Sequence, residues 1–220
     1  MTKREPITLF YSPQTRATGA RLLLEELGVP YELHVLNMKA GEQRQPDYLA
    51  VNPMGKVPAI LHGGTLVTEQ AAIYLYLADL FAEKGLAPAI DDPDRGTYLR
   101  WMVFYGNCFE PALIDRYLQR EPASPNETPY SSYDDMLDAL EGALAAGPYL
   151  LGERMTAADL LWGVALHWTT MFGLVPDRPV FRRYIDLMTA RDAYRRVTEE
   201  DAALAAEHQA EAERKTGAAA

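Results

Sequence analysis

Phe10-Tyr11-Ser12-Pro13-Gln14-Thr15-Arg16-Ala17 is the stretch on which the fold turns. It joins an apolar run, residues 7–11, to a segment, residues 15–27, whose apolar stripe is Ala20, Leu23, Leu24 and Leu27. The run reads as a buried strand and the stripe as one face of a helix. Ser12 therefore stands just ahead of a helix N-terminus, where free backbone N–H groups and the macrodipole favour negative charge. A small thiolate or a phosphate suits such a place. Gly28 and Pro30 supply the helix stop, and residues 31–36 alternate as a second strand. A polar stretch, residues 39–45, leads to a short helical turn over residues 46–50. Residues 57–61 and 66–68 read as short strands joined by His62-Gly63-Gly64, a hairpin signal. Residues 69–81 are again helical. The order β-α-β then β-β-α predicts a small mixed sheet with helices on its faces.

Beyond residues 84–88 the strand signals stop. Pro93 suits the first turn of a long helix running towards Gln119, and Pro111 should kink it, because proline lacks the N–H that the helical ladder needs. Residues 121–131 read as a loop and residues 132–146 as a second helix. Thr156-Ala157-Ala158-Asp159 has the form of a capping box with Asp in place of Glu, and Met155 with Leu160 suits a hydrophobic staple. That cap opens an almost wholly apolar helix to about Phe172, expected at the buried centre of an all-helical domain. Two shorter helices are expected within residues 180–206, and a frayed tail over 207–220, which lacks apolar periodicity. The domain boundaries so drawn are 1–83, a linker at 84–92, and 93–206. No internal repeat is visible.

Composition narrows the function classes. With 48% hydrophobic residues in 220, the chain can bury a proper core. Its 31 acidic against 21 basic side chains give a net charge of −10, which argues against nucleic acid or an anionic membrane as partner. Residues 1–83 hold 7 of the basic and 9 of the acidic side chains, so the acidic excess lies mostly beyond them and an anionic ligand would prefer the N-terminal part. The segment ahead of the first strand is too short for a signal peptide or a membrane span. One cysteine, Cys108, supplies no disulfide framework, and the four histidines are scattered without ligand spacing. A soluble, cytoplasmic, metal-free protein is expected.

Five separated pieces resemble the cytosolic glutathione transferase family over nearly the whole chain. They are the Tyr-Ser-Pro-x-x-Arg turn at 11–16, Leu24-Glu25-Glu26-Leu27-Gly28-Val29-Pro30-Tyr31-Glu32, Asn52-Pro53-Met54-Gly55-Lys56-Val57-Pro58-Ala59-Ile60, Thr68-Glu69-Gln70-Ala71-Ala72-Ile73, and the capped helix at Thr156. Each is weak alone; their order and spacing together are specific. The resemblance implies a thioredoxin-like, glutathione-binding domain followed by an all-α domain, with glutathione as co-substrate, no metal, and a homodimer. The turn is similar to that of the bacterial, serine-type, theta- and delta-like members.

The site residues follow from the same resemblance, each beside a plainer reading. Ser12 matches the serine whose hydroxyl is aimed at the glutathione sulfur; such a donor lowers a thiol pKa that starts near ~8.5 for free cysteine. Tyr11 and Thr15 carry competing hydroxyls, Thr15 being better suited to the first turn of the helix, and simple helix capping is the alternative for all three. Val57-Pro58 resembles the family's cis-proline turn, whose first residue offers backbone N–H and C=O to the cysteinyl part of glutathione; an ordinary trans proline at a strand start is the plainer reading. Glu69 suits the ligand's α-ammonium, and the N–H groups of the helix beginning at Gln70 suit its α-carboxylate. The family usually has Ser where this chain has Gln70, which puts the geometry of that contact in question. Lys39 and Lys56 match positions near the glycyl carboxylate, though surface lysines are commonly just solvated.

The absence of a cysteine at the turn argues against thiol–disulfide chemistry, and Cys108 is expected to be a buried structural thiol. Trp101, Tyr105 and Phe109 share a helix face at i, i+4, i+8. Such a stripe is usually core, but a kink at Pro111 could turn Tyr105 and Phe109 towards an acceptor site. The implied activity is a glutathione transferase in which the thiolate attacks an electrophilic, hydrophobic acceptor. The alternatives are a glutathione-binding module with little catalysis, or a glutathione-dependent isomerase or peroxidase.

Overall fold

Four strands make one mixed sheet in the computed structural model: β1 (Ile7–Tyr11), β2 (Glu32–Val35), β3 (Ala59–His62) and β4 (Thr65–Val67), in the order β2-β1-β3-β4. The structure describes residues 5–121 and 123–217, and for 215–217 the backbone alone. The expectations for residues 1–4, for Pro122 in the loop and for 218–220 of the tail lie outside the described residues. β1 runs parallel to β2, with Tyr11 opposite Val35, and antiparallel to β3, with Phe10 opposite Ala59. A central strand covered on both faces needs a nearly continuous apolar run, and β1 has one, interrupted only by the half-buried Thr8. Gly63 and Gly64 turn the β3–β4 hairpin with φ of 54° and 82°, the left-handed pair that a two-residue hairpin loop requires.

β1 is followed by α1 (Ala17–Leu27), which buries the expected stripe and ends on Gly28 at φ 62°. A short α2 (Pro46–Val51) comes before β3, and α3 (Gln70–Leu80) follows β4. The helical run is α4 (Arg95–Phe104), α5 (Glu110–Tyr117), α6 (Tyr133–Ala145), α7 (Ala157–Met171), α8 (Pro179–Thr189) and α9 (Asp192–Gly217).

The long helix expected from Pro93 to Gln119 starts instead at Arg95 and is interrupted by a π turn, Tyr105–Phe109. Pro111 sits in the first turn of the resumed helix. The missing N–H breaks the ladder one turn upstream, and the wider π turn absorbs the offset. Ser132 caps α6 by accepting from the Asp135 N–H at 3.0 Å. The capping box at Thr156 is present, with the Asp159 carboxylate accepting from the Thr156 N–H at 2.8 Å. α7 is buried along most of its length, and its Trp162 indole donates to the Trp101 carbonyl at 3.0 Å.

α7 packs on α8 through Gly163, where a Cβ would stand 2.6 Å from Cβ and Cγ of Met188. Helix propensity alone would make Gly163→Ala stabilising by about 1 kcal/mol. The clash reverses the sign, and a loss of about 1–3 kcal/mol is expected from overpacking. A raised denaturation midpoint for that variant would show that α8 can move away.

One helix corrects the sequence expectation. In place of two short helices and a frayed tail there are α8 and a 26-residue α9, which continues through residue 207 to Gly217. The chain divides into two compact units, Met1–Ile73 with Asp192–Ala220, and Tyr74–Arg191. The last helix thus belongs with the sheet and α1, not with α4 to α8. Its buried stripe is Ala193, Val197, Asp201, Ala205 and His208, a 4-4-4-3 spacing. The small alanines permit close approach to α1, where Asp201 accepts from the Thr18 hydroxyl at 2.8 Å.

Candidate active site

The turn after β1 is built by hydrogen bonds that occupy all but one of its hydroxyls. Tyr11 is fully buried and its phenol donates to the Asp201 carboxylate of α9. Burial and the neighbouring Asp201 push the Tyr11 pKa far above the ordinary phenol value, so the hydroxyl stays protonated and committed. Thr15 donates to the Ser12 carbonyl at 2.7 Å and accepts from the Ala17 N–H at 3.1 Å, so it caps the start of α1. Ser12 itself is 3% exposed, and among the described residues no hydrogen bond engages its hydroxyl. Gln14 completes the turn at φ 54°, and its N–H donates to Asp201 at 3.0 Å.

The second wall is the segment ahead of β3. The Val57–Pro58 peptide bond is cis, with Val57 partly exposed and Pro58 buried. The Lys56 carbonyl is held from two sides, by the Tyr48 hydroxyl at 2.6 Å and the Asn52 amide at 2.8 Å. Asn52 is buried and also accepts from the Met54 N–H at 3.1 Å. Gly55 has φ 58°, and a Cβ there would lie 2.7 Å from the Gln43 carbonyl oxygen, so only glycine fits. The asparagine and glycine of the motif thus set the backbone path of Val57. The Lys56 side chain is exposed.

The third wall is the start of α3. Glu69 is exposed, has φ 65°, and its carbonyl accepts the first helical bond, from the Ile73 N–H at 2.9 Å. A non-glycine residue in the left-handed region costs on the order of 1–3 kcal/mol. The described residues hold four such residues, Gln14, Glu69, Gln119 and Ser131, and two of them flank this site. Gln70, where a shorter hydroxyl side chain was the family expectation, sends its amide to the Arg16 carbonyl at 3.2 Å. It therefore ties the start of α3 to the start of α1.

Lys39 lies on a short 3-10 turn, Met38–Ala40, that the buried Asn37 caps by accepting from the Lys39 and Ala40 N–H groups. The Lys39 ammonium donates to Gln209 of α9, and the Asn37 amide donates to Glu211 at 2.9 Å. An ammonium has three donors, so the bond to Gln209 leaves two.

Two other expectations give way. Phe109 is fully buried and Tyr105 nearly so; both pack on Trp162, with ring centroids 4.9 and 5.6 Å away. The π turn does not swing them outward: Trp162 of the capped α7 packs against that face, and the stripe lies in the core. Cys108 is half-buried rather than buried; its thiol donates to the Pro129 carbonyl at 3.3 Å, and burial raises its pKa.

Asp201 belongs to no motif that the sequence displays. Its signal was present as a polar member of the 197-201-205-208 stripe, but the alanines around it make that stripe weakly hydrophobic. Among the described residues no group of three or more His, Cys, Asp or Glu is placed to hold a metal ion, and no helix is long and apolar enough to cross a membrane.

Comparison with known proteins gives a consistent result. Residues 5–79 match the family model of the glutathione S-transferase N-terminal domain, and residues 130–199 that of the C-terminal domain. A glutathione S-transferase of Arabidopsis thaliana is 30% identical over 206 residues, covering 86% of this chain and 93% of the relative. A sphingomonad glutathione S-transferase solved in complex with glutathione superposes with a TM-score of 0.73 at 29% identity, over 89% of this chain and 98% of the other. A glutathione transferase homologue from Sulfitobacter, with bound glutathione, gives 0.72 at 27% identity over the same shares of the two chains.

Proposed function

The chain belongs to the glutathione transferase family, and on that premise we propose that Ser12 donates its hydroxyl to the glutathione sulfur and holds it as a thiolate. The observation that carries this reading is the state of the turn's three hydroxyls. Tyr11 is given to Asp201 and Thr15 to the Ser12 carbonyl, which leaves Ser12 as the hydroxyl free to donate. The N-terminus of α1 adds a field that favours negative charge at the same place.

The remaining contacts follow the walls of the site. Val57 offers peptide N–H and C=O to the cysteinyl part. The N–H groups at the start of α3, Gln70 included, receive the α-carboxylate, while Glu69 accepts from the α-ammonium. Lys39 and Lys56 supply positive charge for the glycyl carboxylate. In the reaction the thiol proton passes to solvent and the sulfur lone pair forms the bond to an electrophilic carbon. The leaving group departs with the electron pair of the bond that breaks. The acceptor is a small hydrophobic electrophile. A homodimer in the cytoplasm is the setting that family membership supports. Its relatives do not favour a non-catalytic module or an isomerase or peroxidase.

Titration of bound glutathione, followed by thiolate absorbance, tests the reading. The bound thiol should ionise about one to two pH units below the ~8.5 of a free cysteine thiol. Saturating glutathione with no thiolate signal near neutral pH would sink it.

A further inference from the structure

We propose that Asp201 is a positioning residue for Ser12: from α9 its carboxylate fixes the turn on both sides of that serine, accepting from the Tyr11 hydroxyl and from the Gln14 N–H. The proposal rests on the reading of Ser12 as the donor to the sulfur.

Asp201 is 6% exposed and lies 187 to 190 positions along the chain from the groups it binds at the turn. It accepts three hydrogen bonds, from the Tyr11 hydroxyl, from the Gln14 N–H at 3.0 Å and from the Thr18 hydroxyl at 2.8 Å. A carboxylate is an acceptor only, so it matches three convergent donors as no amide can. Packing does not call for a charge here: the residues one turn either side, Val197 and Ala205, are buried and apolar. A buried carboxylate is costly unless its partners compensate it. Its partners bracket Ser12, one residue before and two after.

The bracketing also accounts for the backbone of Gln14. That residue holds φ 54°, a conformation that persists only where the surroundings impose it. Asp201 takes its N–H directly. Two ion pairs just N-terminal to Asp201 tie α9 to α1: Arg196 with Glu25 at 2.7 Å, and Glu200 with Arg21, whose guanidinium lies 5.6 Å over the Tyr11 ring. Tyr194 is a further titratable group close to Asp201. A serine carried on an unpinned turn would still bind glutathione through the other walls, but would point its hydroxyl less well.

The test uses Asp201→Asn, Tyr11→Phe, Ser12→Ala and the Ser12→Ala/Asp201→Asn double variant in the full chain. Each is followed by thiolate absorbance against pH with saturating glutathione, by kcat and KM with a model aryl halide, and by thermal unfolding. Asp201→Asn presents an NH2 group towards one of the three donors. It should move the thiol midpoint up by about one pH unit and lower kcat about tenfold or more, with a smaller change in KM for glutathione. In the Ser12→Ala background the same change should add almost nothing, since both act on one bond. A lower unfolding temperature with an unmoved midpoint and kcat would make Asp201 purely structural and overturn the proposal. Full additivity in the double variant would overturn it as well. If Ser12→Ala alone leaves the midpoint in place, the reading of Ser12 fails, and the proposal with it. Should Asp201→Asn not fold, Tyr11→Phe decides: removing one of the three donors should shift the midpoint the same way by less, and no shift overturns the proposal.

Discussion

Ser12→Ala is expected to raise the pKa of enzyme-bound glutathione by about one to two units and to lower kcat/KM at neutral pH by about 10- to 100-fold. A hydrogen bond from a neutral donor to a charged acceptor is worth about 1.5–3 kcal/mol, and each pKa unit corresponds to about 1.4 kcal/mol. The sign follows from the charged form. The hydroxyl stabilises thiolate and not thiol, so its loss raises the pKa and shrinks the thiolate fraction at any pH below the new midpoint. The deficit should therefore be largest at low pH and should narrow as pH passes the raised midpoint. Glutathione affinity should change less, because the contacts proposed at Val57, the start of α3 and the lysines are untouched. Tyr11→Phe removes a hydroxyl already given to Asp201 and should cost less than Ser12→Ala. Measurement of kcat/KM against pH for both variants decides the matter. A Tyr11→Phe defect larger than that of Ser12→Ala would reverse the roles assigned to the two hydroxyls.

Asp159→Ala is expected to destabilise the Tyr74–Arg191 unit by about 4 kcal/mol. The side chain is fully buried and accepts from the Leu150 N–H at 2.8 Å, the Thr156 N–H at 2.8 Å, the Thr156 hydroxyl at 3.0 Å and the Tyr184 hydroxyl at 3.0 Å. Burial pushes its pKa up, and the hydrogen bonds oppose that. Truncation leaves several buried donors without an acceptor, at about 1–3 kcal/mol each before relaxation. It also removes half of the box that starts α7. At roughly 2–4 °C per kcal/mol for a chain of this size, the unfolding temperature should fall by roughly 8–16 °C. Thr156→Ala, which leaves the carboxylate bound to Leu150 and Tyr184, should cost about 1 kcal/mol. Calorimetry on the two variants provides the check, and a drop of only a degree or two for Asp159→Ala would mean that the network reorganises around the loss.

How much was legible can be judged residue by residue. The β1–turn–α1 unit, the Gly28 stop, the Gly63-Gly64 hairpin and the Thr156 box stand where their patterns put them. Each is a short-range requirement: an apolar run for a strand covered on both faces, a residue free of Cβ for left-handed φ, a side chain that reaches its own helix N-terminus. Three matters were not legible. The break at 105–109 falls ahead of Pro111 because the missing N–H acts one turn upstream, and the aromatic stripe there stayed in the core. α9 escaped notice because an alanine-rich stripe carries little hydrophobic contrast. In the sequence Asp201 follows Glu199 and Glu200, and nothing local distinguishes it from them.

The sequence by itself therefore determined the β-α-β then β-β-α order, the family and the local turns and caps, since these depend on neighbours a few residues apart. Only the tertiary structure decided which hydroxyl of the turn is free, because Tyr11 is claimed by a carboxylate 190 residues away. It likewise assigned the last helix to the sheet-bearing unit. Which faces of distant segments meet depends on their mutual shape and on the pairing of buried polar groups, and no local pattern in the chain encodes that pairing.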